Sequence, residues 1–348
     1  MRIPRNILQK IIPLQNLSVK HPINIVVGLF EEYSKKSIPS ISCFRHHNPL
    51  ISTRRNFDEL LINPDHPSRS ESDTYYFDDN YLLRTHLTPN ELEFLELGLN
   101  SFIVSGPAFR RDEIDSTHYP IFHQVEGVHL VESDQSVQCG VGHLKGFLEG
   151  ALRYILGENT CFRWNPDSFP FTSPSFELEA HFDGKWIEVA GCGILKKEIT
   201  GRFREGTYWA FGAGVERLAM LLFGIPDIRL LWSQDERFLE QFENYKRGMP
   251  LKYQPISQQP SSHRDISFWI EENFADNFFF EAVRNSDNGI VESVKLLDSY
   301  KDPKSGRQSK TFRIVFRSHL RPLCKTEVDE VFERVRNSCG SAFKAQLR

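Results

Sequence analysis

FRRDEIDSTHYPIFHQVEG, residues 109–127, is the most informative segment of the chain. Residues 102–131 carry two strand-like runs around the polar loop 110–120, and a strand over 121–130 puts Gln124 and Glu126 on one sheet face. An amide next to a carboxylate makes a receptor for an ammonium group, although an ordinary solvent-facing strand would carry the same residues. Residues 176–194 alternate like antiparallel strands, with a turn at Asp183-Gly184. AFGAGVERLAMLLFGIPDIR, residues 210–229, runs from a strand through Gly212-x-Gly214 into an apolar helix stopped by Gly224 and Pro226. The glycines let backbone approach a ligand, and Arg217 sets a cation in the first helical turn, where a phosphate chain would be stabilised. An arginine replaces the last glycine of a dinucleotide fingerprint, and no Walker A loop occurs.

The rest of the chain frames this segment. Its 348 residues suggest two domains, and 40% apolar with 25% charged residues describes a globular protein with a core. No run approaches a membrane span. The net charge of −4 argues against a protein that coats nucleic acid, but residues 250–348 hold 16 Lys/Arg against 13 Asp/Glu. That leaves the remainder acidic and the last third mildly basic, as two modules with different surfaces would be. The six cysteines show no CxxC pairing, so no disulfide framework is expected. His118, His123, Cys139 and His143 fit no closed zinc pattern. Before Glu31 the chain is basic and free of acids, which suits either an organellar transit segment broken by Pro4 and Pro13 or the arm of an imported protein.

Residues 22–36 read as a helix and 37–80 as extended segments and loops. Thr88-Pro89-Asn90-Glu91 reads as a helix start with Thr88 as N-cap and Glu91 closing a capping box. Residues 137–157 look helical. The Pro/Gln/Ser-rich stretch 246–258 reads as a linker. Beyond it come a strand (264–270), a helix (274–285), two strands (290–299 and 310–317) around a turn, a helix (326–338) and a final short strand. This is the β-α-β-β-α-β, ferredoxin-like order. The domain expectation is an N-terminal arm and helix (1–36), a catalytic domain (37–245), the linker (246–258) and a ferredoxin-like domain (259–348).

NFDELLINPDHPSR (56–69), LLRTHLTP (82–89), residues 109–127, FPFTSPSFE (169–177) and residues 210–229 together resemble the signature motifs of class II aminoacyl-tRNA synthetases, specifically the phenylalanyl enzymes. Residues 250–348 resemble the anticodon-binding domain that ends such chains, so the likeness runs from about His21 onward and is similar to the single-chain organellar form. The resemblance implies an α+β fold: a class II antiparallel sheet flanked by helices, then the ferredoxin-like domain. It implies ATP and Mg²⁺ as cofactors, L-phenylalanine and tRNA-Phe as partners, no membrane, a monomer, and a mitochondrial matrix or other organellar location.

Residue by residue, it implies that Arg110 grips the α-phosphate and the reacting carboxylate, Arg217 the γ-phosphate end, and His118 the phosphates. Asp112, Tyr119, Phe211 and Gly214 would complete the ATP site. Glu188, with Glu177 as second candidate, would hold Mg²⁺, which takes hard oxygen ligands. Gln124 and Glu126 would hold the ammonium with His86 and Thr88; Glu91 stands where the family often has Gln. Phe169 and Phe171 would pack edge-to-face on a substrate ring, with Ala210 at the far end of the pocket.

Lys301, Lys304, Arg307, Lys310, Arg313 and Arg317 put six cations in a short span opposed only by Asp302, a phosphate-binding ridge if the hairpin forms. Phe312, Ile314 and Phe316 alternate with arginines and should face the helices. Two rival readings remain: a non-catalytic tRNA-binding paralogue, which should have lost one of Arg110, Gln124, Glu126 or Arg217, and an adenylate-forming amide ligase on the same fold, which would not need the basic module.

Overall fold

The computed structural model describes residues 3–14, 17–18, 20–131, 136–233, 235–255, 259–271, 274–287, 289–303, 305–318, 321–342 and 346–347. The chain divides into two units, residues 1–110 with 121–253, and residues 111–120 with 254–348.

The first unit is built on a seven-stranded sheet. In spatial order the strands are Ser42–Arg45, Ser101–Phe109, Ile121–Val131, Thr207–Gly214, Lys185–Leu195, Thr172–Phe182 and Phe162–Asp167. Every neighbouring pair is antiparallel except the first, Ser42–Arg45 with Ser101–Phe109. Asp183 (φ 47°) and Gly184 (φ 77°) turn the hairpin between Thr172–Phe182 and Lys185–Leu195. Both residues lie at positive φ, as a two-residue turn of this hand requires.

One sheet face is covered by apolar helices. Pro22–Ser37 begins on a proline, with the ring nitrogen of His21 accepting from the Ile23 N–H. Its Phe30 stacks on Phe211 of the sheet, and Phe147 of the helix Val137–Leu156 packs on both Trp209 and Phe211. The helix Val215–Phe223 ends at Gly224 in the left-handed conformation. A helix nevertheless runs over Arg5–Leu14: Pro4 precedes its first turn, and Pro13 removes one donor only at its end. The stretch 37–80, expected as extended segments and loops, holds the strands Ser42–Arg45 and Leu50–Ser52 and also a short helix, Thr53–Asn56.

Residues up to Tyr253 belong to this unit. The Tyr253 N–H donates to the Phe223 carbonyl and its ring packs on Phe238. Of the expected linker, residues 256–258 lie outside the described residues.

The second unit is a four-stranded sheet in the order Val291–Lys301, Gln308–Phe316, Ser262–Ile270, Gln346–Leu347, with helices Asp276–Ser286 and Lys325–Ala342. That is the ferredoxin-like arrangement read from the element order. Phe268, Phe279, Phe312, Ile314, Phe316, Val331 and Val335 are fully buried in its core. Residues 111–120 also belong to it: Ile114 joins this core and its carbonyl accepts from the Val294 N–H, while the Asp112 carbonyl accepts from Arg284. Among the described residues no helix is long and apolar enough to cross a membrane.

Candidate active site

Strand register assembles the site. Glu126 pairs with Gly212, Gly212 with Gly191, and Gly191 with Glu177, while Gln124 pairs with Gly214. Directly opposed residues share a face, so a row of glycines lies between two acidic ends on the face that also presents Ala210. The missing side chains matter. A Cβ at Gly191 would stand 2.9 Å from the Phe169 ring, so the glycine is what lets that ring lie down on the sheet.

Phe169 and Phe171 form a stacked pair, with centroids 6.0 Å apart, and Phe171 continues the stack onto His86 at 6.2 Å. Phe171 packs on the same apolar cluster as Ala210. The wall of the candidate pocket is therefore a ladder of parallel rings ending in an imidazole.

At the polar end, buried groups lack partners. His86 Nδ1, Gln124 Oε1 and both carboxylate oxygens of Glu91 make no hydrogen bond. Burial pushes His86 down to about 3, with Arg110 and Arg84 adding to the effect, so the ring is neutral. Glu126, 3% exposed, accepts from the Leu87 N–H at 3.0 Å and the Thr88 hydroxyl at 2.8 Å. The capping box expected of Thr88 and Glu91 does not form. The helix Thr88–Glu96 has no side-chain cap, because the Thr88 hydroxyl is spent on Glu126 and Glu91 is 1% exposed rather than reaching back to the helix start.

The two candidate phosphate cations are held by backbone. Arg110 Nε donates to the Thr85 carbonyl at 3.0 Å, and its guanidinium lies 5.2 Å from the Phe122 ring centroid. Thr85 is fixed by Asn56, whose amide nitrogen donates to the Thr85 hydroxyl and whose oxygen accepts from the Thr85 N–H. Arg217 donates to the Glu188 carbonyl at 2.9 Å and pairs with the Glu188 carboxylate at 3.4 Å. The neighbouring Glu216 is buried and accepts from both the N–H and Nδ1 of His123 at 2.7 Å, which ties the first turn of the helix to the strand Ile121–Val131. Burial and the nearby Glu188 and Asp167 charges raise Glu177, as expected where several carboxylates crowd a prospective cation site.

Sequence reasoning missed Arg84. It is fully buried, and its guanidinium donates to the carbonyls of Pro107, His46 and Asn48, to Asn90 Oδ1 and to His46 Nδ1. Gly106 leaves the room it needs, since a Cβ there would lie 2.6 Å from the guanidinium. The available signal was an arginine inside an otherwise apolar strand run, Leu82-Leu83-Arg84.

Phe211 needs correction as an ATP contact. Its side chain is buried among Phe30, Phe147 and Trp209 on the helical face, so only its backbone is open to the site. Gly214 stands opposite Gln124 and adds no side chain. Asp112, His118 and Tyr119 belong to the second unit, where Asp115 holds the His118 ring at 2.9 Å and raises its affinity for a proton.

The cations of the second unit meet more acids than Asp302. Lys310 pairs with Asp276 at the start of the helix Asp276–Ser286, Arg313 with Asp265 directly opposite it on the neighbouring strand, and Arg317 with Glu292. Arg307 lies over the Trp269 ring. Lys301 is exposed, and Lys304 lies outside the described residues.

Comparison with known proteins agrees with this geometry. The family described as tRNA synthetases class II core domain (F) matches residues 28–242, and the ferredoxin-fold anticodon binding domain matches residues 257–348. The chain is 40% identical to the chloroplastic/mitochondrial phenylalanine–tRNA ligase of Arabidopsis thaliana, covering 99% of this chain and 82% of the relative. It is 38% identical to the mitochondrial phenylalanine–tRNA ligase of Mus musculus (89% and 76% covered) and 33% identical to that of Saccharomyces cerevisiae (99% and 92%). With both domain models matched and relatives of this identity aligned over most of their own length, this chain belongs to the phenylalanine–tRNA ligases, a family of class II aminoacyl-tRNA synthetases.

Proposed function

We propose that this chain activates L-phenylalanine with ATP and transfers it to tRNA-Phe, and that the residues above are its machinery. The observation that carries the reading is the set of buried, partnerless acceptors on His86, Gln124 and Glu91 at the end of the Phe169–Phe171 ladder. An aromatic amino acid supplies what both ends lack: a ring for the ladder and an ammonium for the acceptors.

The family uses ATP. The phenylalanine carboxylate attacks the α-phosphorus, a P–O bond to pyrophosphate breaks, and aminoacyl-adenylate forms. Arg110 faces the charge that builds on the α-phosphate, and Arg217, anchored through Glu188, the leaving pyrophosphate. Glu188 and Glu177 fit Mg²⁺ by donor type and crowding; when bound it would neutralise phosphate charge. The 3′-terminal ribose hydroxyl of tRNA then attacks the acyl carbon and AMP leaves. Holding the reactants in line supplies the rate enhancement, so no side-chain nucleophile is required. The ferredoxin-like domain reads the anticodon end through Lys301, Lys304, Arg307, Lys310, Arg313 and Arg317, and the protein works as a monomer. The organellar names of the relatives and the basic, acid-free N-terminal stretch support an organellar location, the mitochondrial matrix first.

The test is amino-acid-dependent ATP–pyrophosphate exchange. Phenylalanine should drive it; exchange that is absent, or equal with unrelated amino acids, removes the proposal.

A further inference from the structure

Glu91 is the one member of the polar end that a family resemblance does not explain. It lies in the first turn of the helix Thr88–Glu96, three residues after Thr88 and therefore on the same helical face. The Thr88 hydroxyl touches Glu126 on the strand Ile121–Val131. Two carboxyl groups, 1% and 3% exposed, thus share one dry site.

Their hydrogen bonding is unequal. Glu126 receives a backbone N–H and a hydroxyl, whereas neither Glu91 oxygen receives anything. Two like charges in one dry site cannot both persist, and the proton settles on the group with fewer donors. The charged groups from the surrounding elements act in the same sense. Burial raises Glu126 as well, to about 7, but its two donors and the cations Arg110, after the strand Ser101–Phe109, and Arg84, after the strand Tyr81–Leu83, act against that rise, and Glu91 has no such donors. His86 is neutral and offers no countercharge. On the Glu91 helix, the Glu93 carboxylate accepts from the Asn90 amide instead. Glu91 is raised well above the ordinary carboxyl range by burial and by Glu126.

We propose that Glu91 is a neutral carboxylic acid in the free enzyme and gives up its proton to solvent when the ammonium group of the amino acid enters, so that substrate binding is coupled to proton release. The inference rests on the amino-acid reading of the site. The balance is simple. The Glu91 O–H bond breaks, its proton goes to buffer, and the carboxylate left behind accepts a hydrogen bond from the incoming ammonium, which keeps all three of its protons. A glutamine at the same place would accept the same hydrogen bond without titrating, so this residue sets the pH response of binding rather than the fold.

Because protons are released, affinity for phenylalanine rises with pH. The window lies between the titration of Glu91 in the complex and its higher value in the free site, and the slope reaches about tenfold per pH unit where release is complete.

The experiment is calorimetric titration of the full chain with L-phenylalanine at about pH 7, below the amino acid's own ammonium titration, in buffers of different ionisation enthalpy. The wild type should show an apparent enthalpy that varies with buffer in the sense of proton release. Glu91→Gln should remove most of that variation and of the pH dependence, leaving what Glu126 contributes, and 3-phenylpropanoate, which has no ammonium group, should release no proton from the wild type. Buffer-independent enthalpy in the wild type, equal release in Glu91→Gln, or release with 3-phenylpropanoate would each overturn the proposal. The ammonium-free ligand makes the test independent of how well the variant folds. Failure of phenylalanine to bind at all, while another amino acid binds, would bring down the amino-acid reading and this inference with it.

Discussion

The polar end of the candidate pocket and the basic hairpin of the second unit treat their polar groups in opposite ways. At the pocket, His86, Glu91 and Gln124 keep polar atoms out of water with nothing to satisfy them. On the hairpin, Lys310, Arg313 and Arg317 have each found a carboxylate. A buried unsatisfied acceptor costs about 1–3 kcal/mol, so a chain that keeps several in one spot holds them there for something that is not part of the chain. Cations already paired can still meet phosphate, but they must exchange one partner for another, and the gain is correspondingly small. Orphans mark a site built for a defined small ligand; compensated charges mark a surface suited to a weak, extended contact.

That contrast can be broken at several points. The largest effect should come from Arg84→Met, which leaves the carbonyls of Pro107 and His46 and the side chain of Asn90 without their donor; a loss of about 3–5 kcal/mol is expected, read as a lowered denaturation midpoint. Unchanged stability would mean that the interior of the first unit tolerates orphans anywhere, and they would no longer mark a ligand site. Arg217→Ala should cut pyrophosphate exchange by about 10²–10³ while leaving tRNA affinity near wild type. Full exchange in that variant would detach the cation from the chemistry. Gly191→Val forces the Phe169 ring off the sheet, at about 1–3 kcal/mol of overpacking. The KM for phenylalanine should rise about tenfold with that for ATP little moved; equal increases would show that the ladder is not the amino-acid wall. The smallest effects belong to the second unit. Lys301→Ala should reduce the salt dependence of tRNA binding by about one phosphate contact, and Arg313→Ala, which frees Asp265 as it removes a cation, by less. The reverse order would mean that pairing does not attenuate the ridge.

Much of this was legible in the sequence because it is local. The period-two spacing of Gln124 and Glu126 put them on one face, and proline and glycine punctuation bounded the ferredoxin-like elements closely. What was not legible depends on partners far along the chain. Thr88 reads as an N-cap from its neighbours, yet its hydroxyl is claimed by Glu126, 38 residues later. The ridge reads as unopposed because Asp265, Asp276 and Glu292 lie on other elements. Arg84 carries no local mark of the carbonyls and side chains that anchor it. Phe211 sits in a motif expected to touch ligand, but strand alternation turns its ring to the other face.

Residues 111–120 carry a consequence for how the protein is made. Ile114 is part of the second unit's core and its carbonyl completes a hydrogen bond with Val294, 180 residues downstream. During synthesis this segment emerges long before the strands that bury it, and at about 5–20 residues per second the wait is on the order of ten seconds or more. Over that interval an apolar side chain and an unpaired backbone stretch stay open to chaperones or to misplaced strands. A recombinant fragment starting at Gln254 would also lack one residue of its own core, so the C-terminal module cut at that boundary is expected to be less stable than the same module within the whole chain.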